Sequence, residues 1–324
     1  MAKILLTGGA GYIGSHTNLA LAEAGHKTIL FDNLSTGFKE LVIAGELIIG
    51  DLMDKEAISQ ILREGGFDAV IHFAAKSLVG ESFENPLLYW NTNVIGSLNL
   101  IDAMLKYGPR KIVFSSSAAV YGNPSEMPIL ESCPTKPINP YGKTKLAIEW
   151  ILQDHFRTLD HVSLRYFNAC GADIKGRIGL LIPNDPHLIP VCMDNLLGKR
   201  KRVEVFGTDY NTPDGTCIRD YIHVSDLAAA HLSAVEHILS NKTAISLNLG
   251  TNRGYSIREI IDNMEKITHK KLNVSLSERR PGDPGKLIAD SSCAREFLGW
   301  EPRFSDLGII INSAWEWHKK HFSD

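Results

Sequence analysis

Tyr141 and Lys145 lie four positions apart, a spacing that can prepare a phenol to act as a base. Asn139 is a good N-cap and Pro140 suits the first helical position, so a helix is predicted to begin here. Residues i and i+4 share one face of a helix. An ammonium group beside a phenol favours the phenolate, and lowering a tyrosine pKa from about 10 to near 7 needs roughly 4 kcal/mol. We therefore expect Lys145 to lower the pKa of Tyr141.

Hydroxyl groups at a predicted strand end supply a partner for this base. The strand predicted over 111–116 ends in Ser115 and Ser116, and Ser117 follows it. Ser117 can hydrogen bond a substrate hydroxyl and pass its proton toward Tyr141, and such a relay contributes roughly 10²–10⁴-fold in rate. A Tyr-x-x-x-Lys spacing or a serine-rich turn is common on protein surfaces, so the interpretation depends on the elements around both.

A glycine-rich run near the N-terminus predicts a dinucleotide site. The strand predicted over 3–7 leads directly into this run, which spans residues 8–14, and an apolar helix follows. Gly8 and Gly11 let the backbone turn tightly and approach a pyrophosphate at the helix N-terminus, while Gly14 allows close helix–strand packing. Asp32 ends the second strand and can accept both adenosine ribose hydroxyls while repelling a 2′-phosphate. The sequence therefore favours NAD over NADP.

Residues after the third and fourth strands fit the same interpretation. Asp51 follows the third strand and either meets the adenine edge or forms a turn. Phe73, Ala74 and Ala75 end the fourth strand, and the two alanines leave room for the cofactor backbone.

Strand-like and helix-like segments alternate along the first half of the chain. This alternation predicts an α/β fold with a Rossmann-type doubly wound parallel sheet, covered on both faces and binding ligands at the strand C-terminal ends. Strands are expected at 3–7, 27–32, 47–50, 69–73, 111–116, 162–167 and 246–249, and helices at about 12–25, 54–64, 86–107, 141–159 and 225–239.

The regular alternation stops after about residue 169. Loops rich in Gly, Pro or Asp at 171–190, 207–216 and 280–285 are typical of a smaller lobe above a site. We expect an NAD-binding Rossmann domain at 1–168 plus about 217–250. The remaining 169–216 plus 251–324 are expected to form a smaller, discontinuous α/β lobe for the substrate.

Composition narrows the class of partner and the compartment. The chain of 324 residues is 44% hydrophobic and carries a net charge of −3, which argues against nucleic-acid or membrane binding. Its five scattered cysteines indicate neither a disulfide framework nor a metal site. The first apolar run is too short for a signal peptide or a membrane span, so we expect a cytoplasmic protein. The basic run 199–202 is interpreted as a solvated turn.

Six motifs carry a family resemblance, and they lie at 7–16, 32–34, 115–122, 164–168, 215–224 and 279–283. Through them the chain resembles the extended short-chain dehydrogenase/reductase family nearly end to end, and within it the enzymes that epimerise UDP-hexoses at C4. The motifs at 7–16 and 115–122 identify the larger family, and those at 164–168, 215–224 and 279–283 are more specific.

The resemblance implies residue roles. Ser117, Tyr141 and Lys145 would be catalytic. Substrate contacts would come from Ser117, Tyr141, Asn168, His187, Leu188, Phe206, Arg219, Arg280, Asp283 and Leu287. NAD contacts would come from Gly8, Gly11, Tyr12, Ile13, Gly14, Asp32, Asn33, Asp51, Leu52, Phe73, Ala74, Ala75, Asn93, Ser115, Tyr141, Lys145 and Tyr166.

Within the substrate set, Phe206 would line a uracil pocket, Asp283 would meet a ribose hydroxyl, and Arg219 and Arg280 would contact the pyrophosphate. Two guanidinium groups suit this last task because they form bidentate, charge-assisted bonds to phosphate oxygens.

The implied reaction interconverts UDP-galactose and UDP-glucose in galactose metabolism. Tyr141, working with Ser117, would take the proton from the sugar 4-hydroxyl while the C4 hydride passes to tightly bound NAD. The resulting 4-keto sugar would rotate and recover the hydride on its opposite face. The resemblance also suggests a homodimer formed through the helices near 86–107 and 141–159.

Two positions depart from the family pattern. Ser77 replaces a lysine found in some members, which puts a phosphate contact there in doubt. Leu287 occupies the position of a gatekeeper that is tyrosine in hexose-restricted members and small in those that admit N-acetyl sugars. Leucine is intermediate in volume, and we hypothesise partial activity on UDP-N-acetylglucosamine and UDP-N-acetylgalactosamine.

Specific residues bear on the alternative functions. A nucleotide-sugar 4,6-dehydratase needs acidic residues directly after the catalytic serine, where this chain has Ala118 and Ala119. A decarboxylase or a uronate epimerase needs a cationic site for a C6 carboxylate, which the loops could supply, and an N-acetylhexosamine epimerase is a further alternative. A non-catalytic NAD-binding sensor is disfavoured because Ser117, Tyr141 and Lys145 are all present.

Overall fold

The computed structural model describes residues 1–280 and 283–323. Pro281 and Gly282, which belong to the loop predicted over 280–285, lie outside the described residues. The strands are β1 (Lys3–Thr7), β2 (Lys27–Asp32), β3 (Glu46–Ile49), β4 (Ala69–His72), β5 (Lys111–Ser115), β6 (Asp160–Tyr166), β7 (Asn168–Cys170), β8 (Val203–Phe206), β9 (Ile218–Arg219), β10 (Tyr221–His223), β11 (Ala244–Leu249), β12 (Tyr255–Ser256), β13 (Val274–Ser277) and β14 (Lys286–Leu287).

Helices connect these strands and cover them. The α-helices are α1 (Tyr12–Glu23), α2 (Lys55–Gly65), α3 (Val79–Glu84), α4 (Pro86–Tyr89), α5 (Gly96–Tyr107), α6 (Pro140–Asp154), α7 (Leu188–Leu196), α8 (Val224–Ser240), α9 (Ile257–Thr268), α10 (Ser292–Leu298) and α11 (Leu307–Phe322). No described helix combines the length and the apolar character that crossing a membrane requires.

A seven-stranded parallel sheet forms the centre of the fold, in the order β11-β6-β5-β4-β1-β2-β3. The chain runs outward from β1 in one direction through β2 and β3 and in the other through β4, β5, β6 and β11. The order therefore reverses between β1 and β4, and ligands of such sheets bind at the C-terminal strand ends beside this reversal. The predicted Rossmann-type sheet is confirmed, with all seven strands where the sequence placed them.

The central strands of the sheet are buried on both faces, as a parallel sheet with helical crossovers requires. Alternate residues of β1 point to opposite faces. Ile4 and Leu6 belong to one apolar cluster together with residues of α8. Leu5 belongs to a second cluster with residues of α2 and α5. Each of these three β1 side chains is fully buried.

The helix predicted over 86–107 is interrupted. A π-helical turn, Trp90–Ile95, separates α4 from α5. Within this wider turn Asn93 is fully buried, accepts a hydrogen bond from the backbone N–H of Lys76 at 2.8 Å, and donates to Thr144 Oγ1 at 3.0 Å. The apolar pattern of the sequence does not distinguish an α-helix from a helix with one wider turn, because both keep nearly the same face buried.

Helix α6 begins as the sequence predicts. Asn139 Oδ1 accepts a hydrogen bond from the backbone N–H of Gly142 at 2.7 Å, and Pro140 occupies the first turn. The helix ends at Asp154, five residues before the predicted end at 159, because the chain turns there to enter β6 at Asp160.

A third apolar cluster lies in the C-terminal half. It contains buried residues of α7, β8, α9 and α11, among them Ile189, Val203, Ile260 and Trp315. Strand β8 pairs with β13, and the basic run 199–202 that precedes β8 is an exposed turn, as predicted. The division of the chain into two domains at the boundaries given above stays a prediction.

Candidate active site

The glycine-rich run forms a tight turn between β1 and α1. Gly8 has φ +72°, and a Cβ there would lie 2.5 Å from the backbone nitrogen of Ala74. A Cβ at Gly14 would lie 2.3 Å from the carbonyl oxygen of Gly8. Gly11 is the N-cap of α1, which has neither a side-chain cap nor an acidic residue in its first turn. This helix N-terminus is therefore suited to bind an anion such as a pyrophosphate.

Asp32 lies beside this turn at the end of β2. Its carboxylate is 7% exposed and accepts hydrogen bonds from the backbone N–H groups of Ala10 at 2.9 Å and Leu34 at 2.8 Å. Burial raises its pKa, and the two backbone hydrogen bonds oppose this effect. The carboxylate oxygens retain acceptor capacity for ribose hydroxyls.

Asn33 and Asp51 lie together after β2 and β3. Asn33 Nδ2 donates to Asp51 Oδ2 at 2.8 Å, and Asp51 Oδ1 accepts from the backbone N–H of Met53 at 2.8 Å. Asp51 thus forms a turn and still presents an exposed carboxylate, so the two readings of this residue are compatible. Leu52 is buried in the apolar cluster beneath α2.

The remaining predicted NAD contacts surround the turn, and three of them make hydrogen bonds within the protein. The backbone N–H groups of Phe73 and Ala74 donate to the carbonyl of Thr7 at 2.8 and 3.0 Å. The Tyr12 hydroxyl donates a hydrogen bond to the carbonyl of Gly171 at 2.6 Å. Ile13 packs against the apolar cluster that contains Ile4 and Leu6. Ala75 follows β4 and is half-buried.

Asn93 is less available than the sequence suggested. Its amide binds both backbone groups of Lys76 and the hydroxyl of Thr144. It therefore fixes the segment after β4 to helix α6, and a contact with NAD would use only its remaining acceptor capacity.

Ser117, Tyr141 and Lys145 are brought together at the C-terminal end of β5. Tyr141 and Ser117 are joined by a side-chain hydrogen bond. Lys145 is 2% exposed, donates to the carbonyl of Ser115 at 2.7 Å, and lies 5.9 Å from the centre of the Tyr141 ring. Ser115 also shares a hydrogen bond with the hydroxyl of Tyr166, which closes this side of the site.

We expected Lys145 to lower the pKa of Tyr141. This prediction is wrong, because the groups of the protein together raise the pKa of Tyr141. Burial raises the pKa of Tyr141, and the hydrogen bond from Ser117 only partly offsets this. Burial also lowers the pKa of Lys145 to about 7, against the opposing field of Glu149. Because Lys145 is only partly charged near neutral pH, its pull on the phenolate is weaker than its sequence position implied.

Several predicted substrate residues line one cavity. Leu188, Phe206, Arg280 and Asp283 surround a space of about 380 Å³. The Arg280 guanidinium lies 3.9 Å from the centre of the Phe206 ring, in cation–π contact. An aromatic ring and a guanidinium group in one cavity fit the base and a phosphate of one nucleotide.

Arg219, Asp283 and Leu287 form a second group beside the cavity. Arg219 is 8% exposed and is ion-paired with Asp283. Leu287 in β14 pairs directly with Arg219 in β9 and packs against the cluster that contains Val120 and Ile129. Asp283 was expected to meet a ribose hydroxyl, and in the structure its carboxylate already holds an arginine.

Asn168 and His187 are not among the residues that line the 380 Å³ cavity. Asn168 is half-buried and opens β7, beside Tyr221 of β10. His187 is the N-cap of α7 and pairs with Asp185 at 2.6 Å. Burial lowers the His187 pKa, but the hydrogen bond to Asp185 outweighs it, so the pKa is raised overall.

Sequence reasoning missed some residues of this region. Arg200, Lys201 and Arg202, interpreted only as a solvated turn, also line the 380 Å³ cavity, together with Cys217. Their position directly before β8 and Phe206 was the signal that could have found them. A larger cleft of about 730 Å³ lies between residues 173–176 and α11 and contains none of the predicted site residues.

The fold and the site together define a class of protein: a Rossmann-type enzyme that binds a dinucleotide beside a Ser-Tyr-Lys constellation. The chain belongs to the NAD dependent epimerase/dehydratase family, whose profile matches residues 4–250.

Named relatives cover the whole chain. The UDP-glucose 4-epimerase of Halalkalibacterium halodurans is 48% identical over 322 residues, which are 98% of this chain and 96% of that protein. The crystal structure of UDP-glucose 4-epimerase from Brucella ovis in complex with NAD has a TM-score of 0.96 at 46% identity, covering 100% and 99% of the two chains. That from Bifidobacterium longum in complex with NAD+ and UDP has a TM-score of 0.94 at 38% identity, covering 99% of each.

Gly14→Ala tests the glycine turn. The added Cβ would lie 2.3 Å from the Gly8 carbonyl oxygen, so the turn must shift away from its dinucleotide-binding shape. We expect NAD affinity, measured by calorimetry, to fall by about tenfold or more, a loss of about 1.4 kcal/mol. Gly80→Ala is the control, since nothing lies within 4 Å of a Cβ there. Unchanged NAD affinity in Gly14→Ala would contradict this role.

Proposed function

We propose that the protein interconverts UDP-galactose and UDP-glucose by inverting the configuration at C4, with tightly bound NAD as its cofactor. The observation that carries the proposal is the hydrogen-bonded Ser117–Tyr141 pair, with Lys145 behind it, at the sheet edge that also holds the glycine turn. The similarity to UDP-glucose 4-epimerases over nearly the whole chain supports the same reaction.

NAD fits the residues present. Gly8 and Gly14 allow the tight turn that leads into the uncapped N-terminus of α1, a helix end suited to a pyrophosphate, and the Asp32 carboxylate lies at the neighbouring strand end. When bound, NAD+ accepts a hydride and brings a positive charge that favours the ionised form of a nearby phenol.

Proton transfer is assigned to Tyr141 through Ser117. The sugar O4 proton moves to the phenolate oxygen of Tyr141 as the C4–H bond breaks, which leaves a carbonyl at C4. Both steps reverse on the opposite face of the sugar, so the products carry no net oxidation. The Lys145 side chain is fixed by the Ser115 carbonyl, and its protonated ammonium form stabilises the Tyr141 phenolate.

The nucleotide is assigned to the cavity that holds Phe206 and Arg280. Stacking on Phe206 suits uracil, while Arg280 and Arg219 suit the diphosphate because guanidinium groups bind phosphate oxygens bidentately. Holding the substrate by its nucleotide leaves the sugar free to turn over between the two transfers.

A dehydratase reaction is disfavoured by the turn after Ser117. Ala118–Val120 forms a short 3₁₀ turn that begins at Ser117, and the two alanines carry no acid to protonate a leaving hydroxyl. Elimination of water would therefore lack its general acid.

Leu287 is assigned to sugar selection. Its side chain is half-buried on β14 and is shorter than the tyrosine that restricts related enzymes to hexoses. We infer partial activity on UDP-N-acetylglucosamine and UDP-N-acetylgalactosamine.

A homodimer is inferred from exposed apolar side chains on α3 to α6. Contiguous exposed apolar surface is typical of an interface between proteins. Leu87 is 75% exposed and Trp150 is 61% exposed, and the same region contains Val79, Phe83, Leu88, Trp90, Ile95 and Leu98.

The five cysteines are free thiols, which supports a reducing, cytoplasmic location.

The reaction is tested with UDP-galactose, without added NAD, by following UDP-glucose chromatographically. We expect conversion by the purified protein, and a fall of about 10²–10⁴-fold in Tyr141→Phe because that variant lacks the proton acceptor. The variant should keep the native melting temperature and its bound NAD. An unaltered protein that forms no UDP-glucose even with added NAD would refute the epimerase proposal.

Sugar selection is tested with Leu287→Tyr. The larger ring should lower turnover of UDP-N-acetylglucosamine by about tenfold or more, since steric discrimination in a pocket is worth about 1–3 kcal/mol. UDP-galactose turnover should change by less than about threefold. Leu276→Tyr, at a 64% exposed position of β13, is the control and should leave the ratio unchanged. Equal losses for both sugars in Leu287→Tyr would remove Leu287 from sugar selection.

The dimer is tested by light scattering on the double variant Leu87→Glu/Trp150→Glu. Charges placed at the centre of a buried apolar interface are expected to separate the subunits, because an unpaired buried charge is costly. The mass should fall from twice 35.8 kDa to that of one chain. Leu276→Glu is the matched surface control, and a monomeric unaltered protein would contradict the proposal.

A further inference from the structure

A buried ion pair lies beneath the catalytic residues and has no part in the reaction described above. Arg165 of β6 binds Glu149 of α6 through two hydrogen bonds, of 2.9 and 2.5 Å. The side chains are 9% and 6% exposed. Arg165 also donates to the hydroxyl of Tyr121 at 2.8 Å, so both charged groups are satisfied inside the protein.

Glu149 also holds the strand end that carries the catalytic serine. Its Oε1 accepts a hydrogen bond from the hydroxyl of Ser116 at 2.5 Å, and Ser116 is fully buried. Ser116 lies between Ser115, whose carbonyl binds Lys145, and Ser117, which binds Tyr141. One carboxylate therefore connects the strand end to the helix that carries the other two catalytic groups.

The same carboxylate acts on Lys145 through space, one helical turn away. The groups facing Lys145 are Tyr141 and Glu149 on α6, His72 on β4, and the Ser115 carbonyl on β5. Burial lowers the pKa of His72 to about 3, so this imidazole is neutral at physiological pH. The field of Glu149 opposes the lowering of the Lys145 pKa that burial causes.

The network continues to the strand that carries the sugar-selecting residue. Tyr121 donates to Asn248 Oδ1 at 2.7 Å, and Asn248 Nδ2 donates to the carbonyl of Ile129 at 2.9 Å. The backbone N–H of Ile129 donates in turn to the carbonyl of Ile288, next to Leu287, at 2.8 Å. The ion pair is thus anchored on the side facing the substrate as well.

We propose that Glu149, held in place by Arg165, is a positioning residue for the reaction: it fixes Ser115–Ser117 against Tyr141 and Lys145 and places an anion one helical turn from the Lys145 amine. This inference rests on the proposed function for its kinetic consequence, while its geometric and electrostatic parts concern the protein alone.

A purely structural role for the Glu149–Arg165 ion pair predicts a different effect of removing it. Removing one partner leaves the other charge buried and unpaired, which destabilises any protein, whereas removing both with apolar residues of similar volume is often tolerated. If stability were the only role, a variant lacking both charges would recover stability and turnover together. A positioning role predicts recovery of stability without recovery of turnover.

The experiment compares Glu149→Gln, the double variant Glu149→Gln/Arg165→Met, and the control Asp194→Asn. Asp194 pairs with His318 at 2.8 Å between α7 and α11, in a similarly buried polar contact away from the catalytic residues. Melting temperature, kcat and KM for UDP-galactose, and the titration of the Lys145 amino group by heteronuclear NMR are measured for each. The double variant keeps the test valid if Glu149→Gln fails to fold.

We expect kcat of the double variant to fall by about 10–100-fold, since small misplacements of catalytic groups have effects of this size. KM should change by less than about threefold. The Lys145 titration should move to lower pH because the anion that favours its charged form is gone. In Asp194→Asn the melting temperature should fall while the Lys145 titration stays unchanged.

Two results would overturn the proposal: a double variant with native melting temperature and native kcat, or a Lys145 titration that does not move. Absence of turnover in the unaltered protein would contradict the proposed function instead. In that case the Lys145 titration still decides the positioning proposal, because it is measured without substrate.

Discussion

The parallel register of β4 with β1 on one side and β5 on the other is the constraint on which the site depends. Thr7 pairs with His72, and His72 pairs with Phe114, so these strands end at one level and release their loops on the same edge of the sheet. The glycine turn and the serine-rich strand end start far apart in sequence and become neighbours only through this alignment. A slip of one residue in either pairing would turn the following side chains to the opposite face.

Burial controls the chemistry of the catalytic residues in two opposite directions. It raises the pKa of Tyr141 and lowers the pKa of Lys145, so burial favours the neutral form of each group. Neutral groups are poor catalysts of proton transfer until a charge restores one ionised form. The anion of Glu149 acts in that direction on Lys145, and the positive charge that NAD+ brings would act in the same direction on Tyr141.

Local patterns predicted the sheet strands, the cap of α6 and the glycine turn, because each depends on residues adjacent in sequence. Contacts between distant segments were not predictable in the same way. The ion pair of Arg219 with Asp283 and the contacts of Asn93 depend on how separate elements pack. The prediction of a lowered Tyr141 pKa was wrong for a related reason. The sequence shows the neighbouring lysine but not the depth at which both side chains are buried.

The pairing of β9 with β14 places Leu287 opposite Arg219 in adjacent strands. Leu287, assigned to sugar selection, and Arg219, assigned to the diphosphate, therefore lie on paired strands. Neither backbone can be displaced without moving the other. If these two assignments hold, a change in the volume of the side chain at position 287 alters the space for the sugar alone, while a shift of the backbone would also move the arginine. Substrate range in such enzymes can therefore change through the volume of one side chain, while the backbone that holds the arginine stays in place.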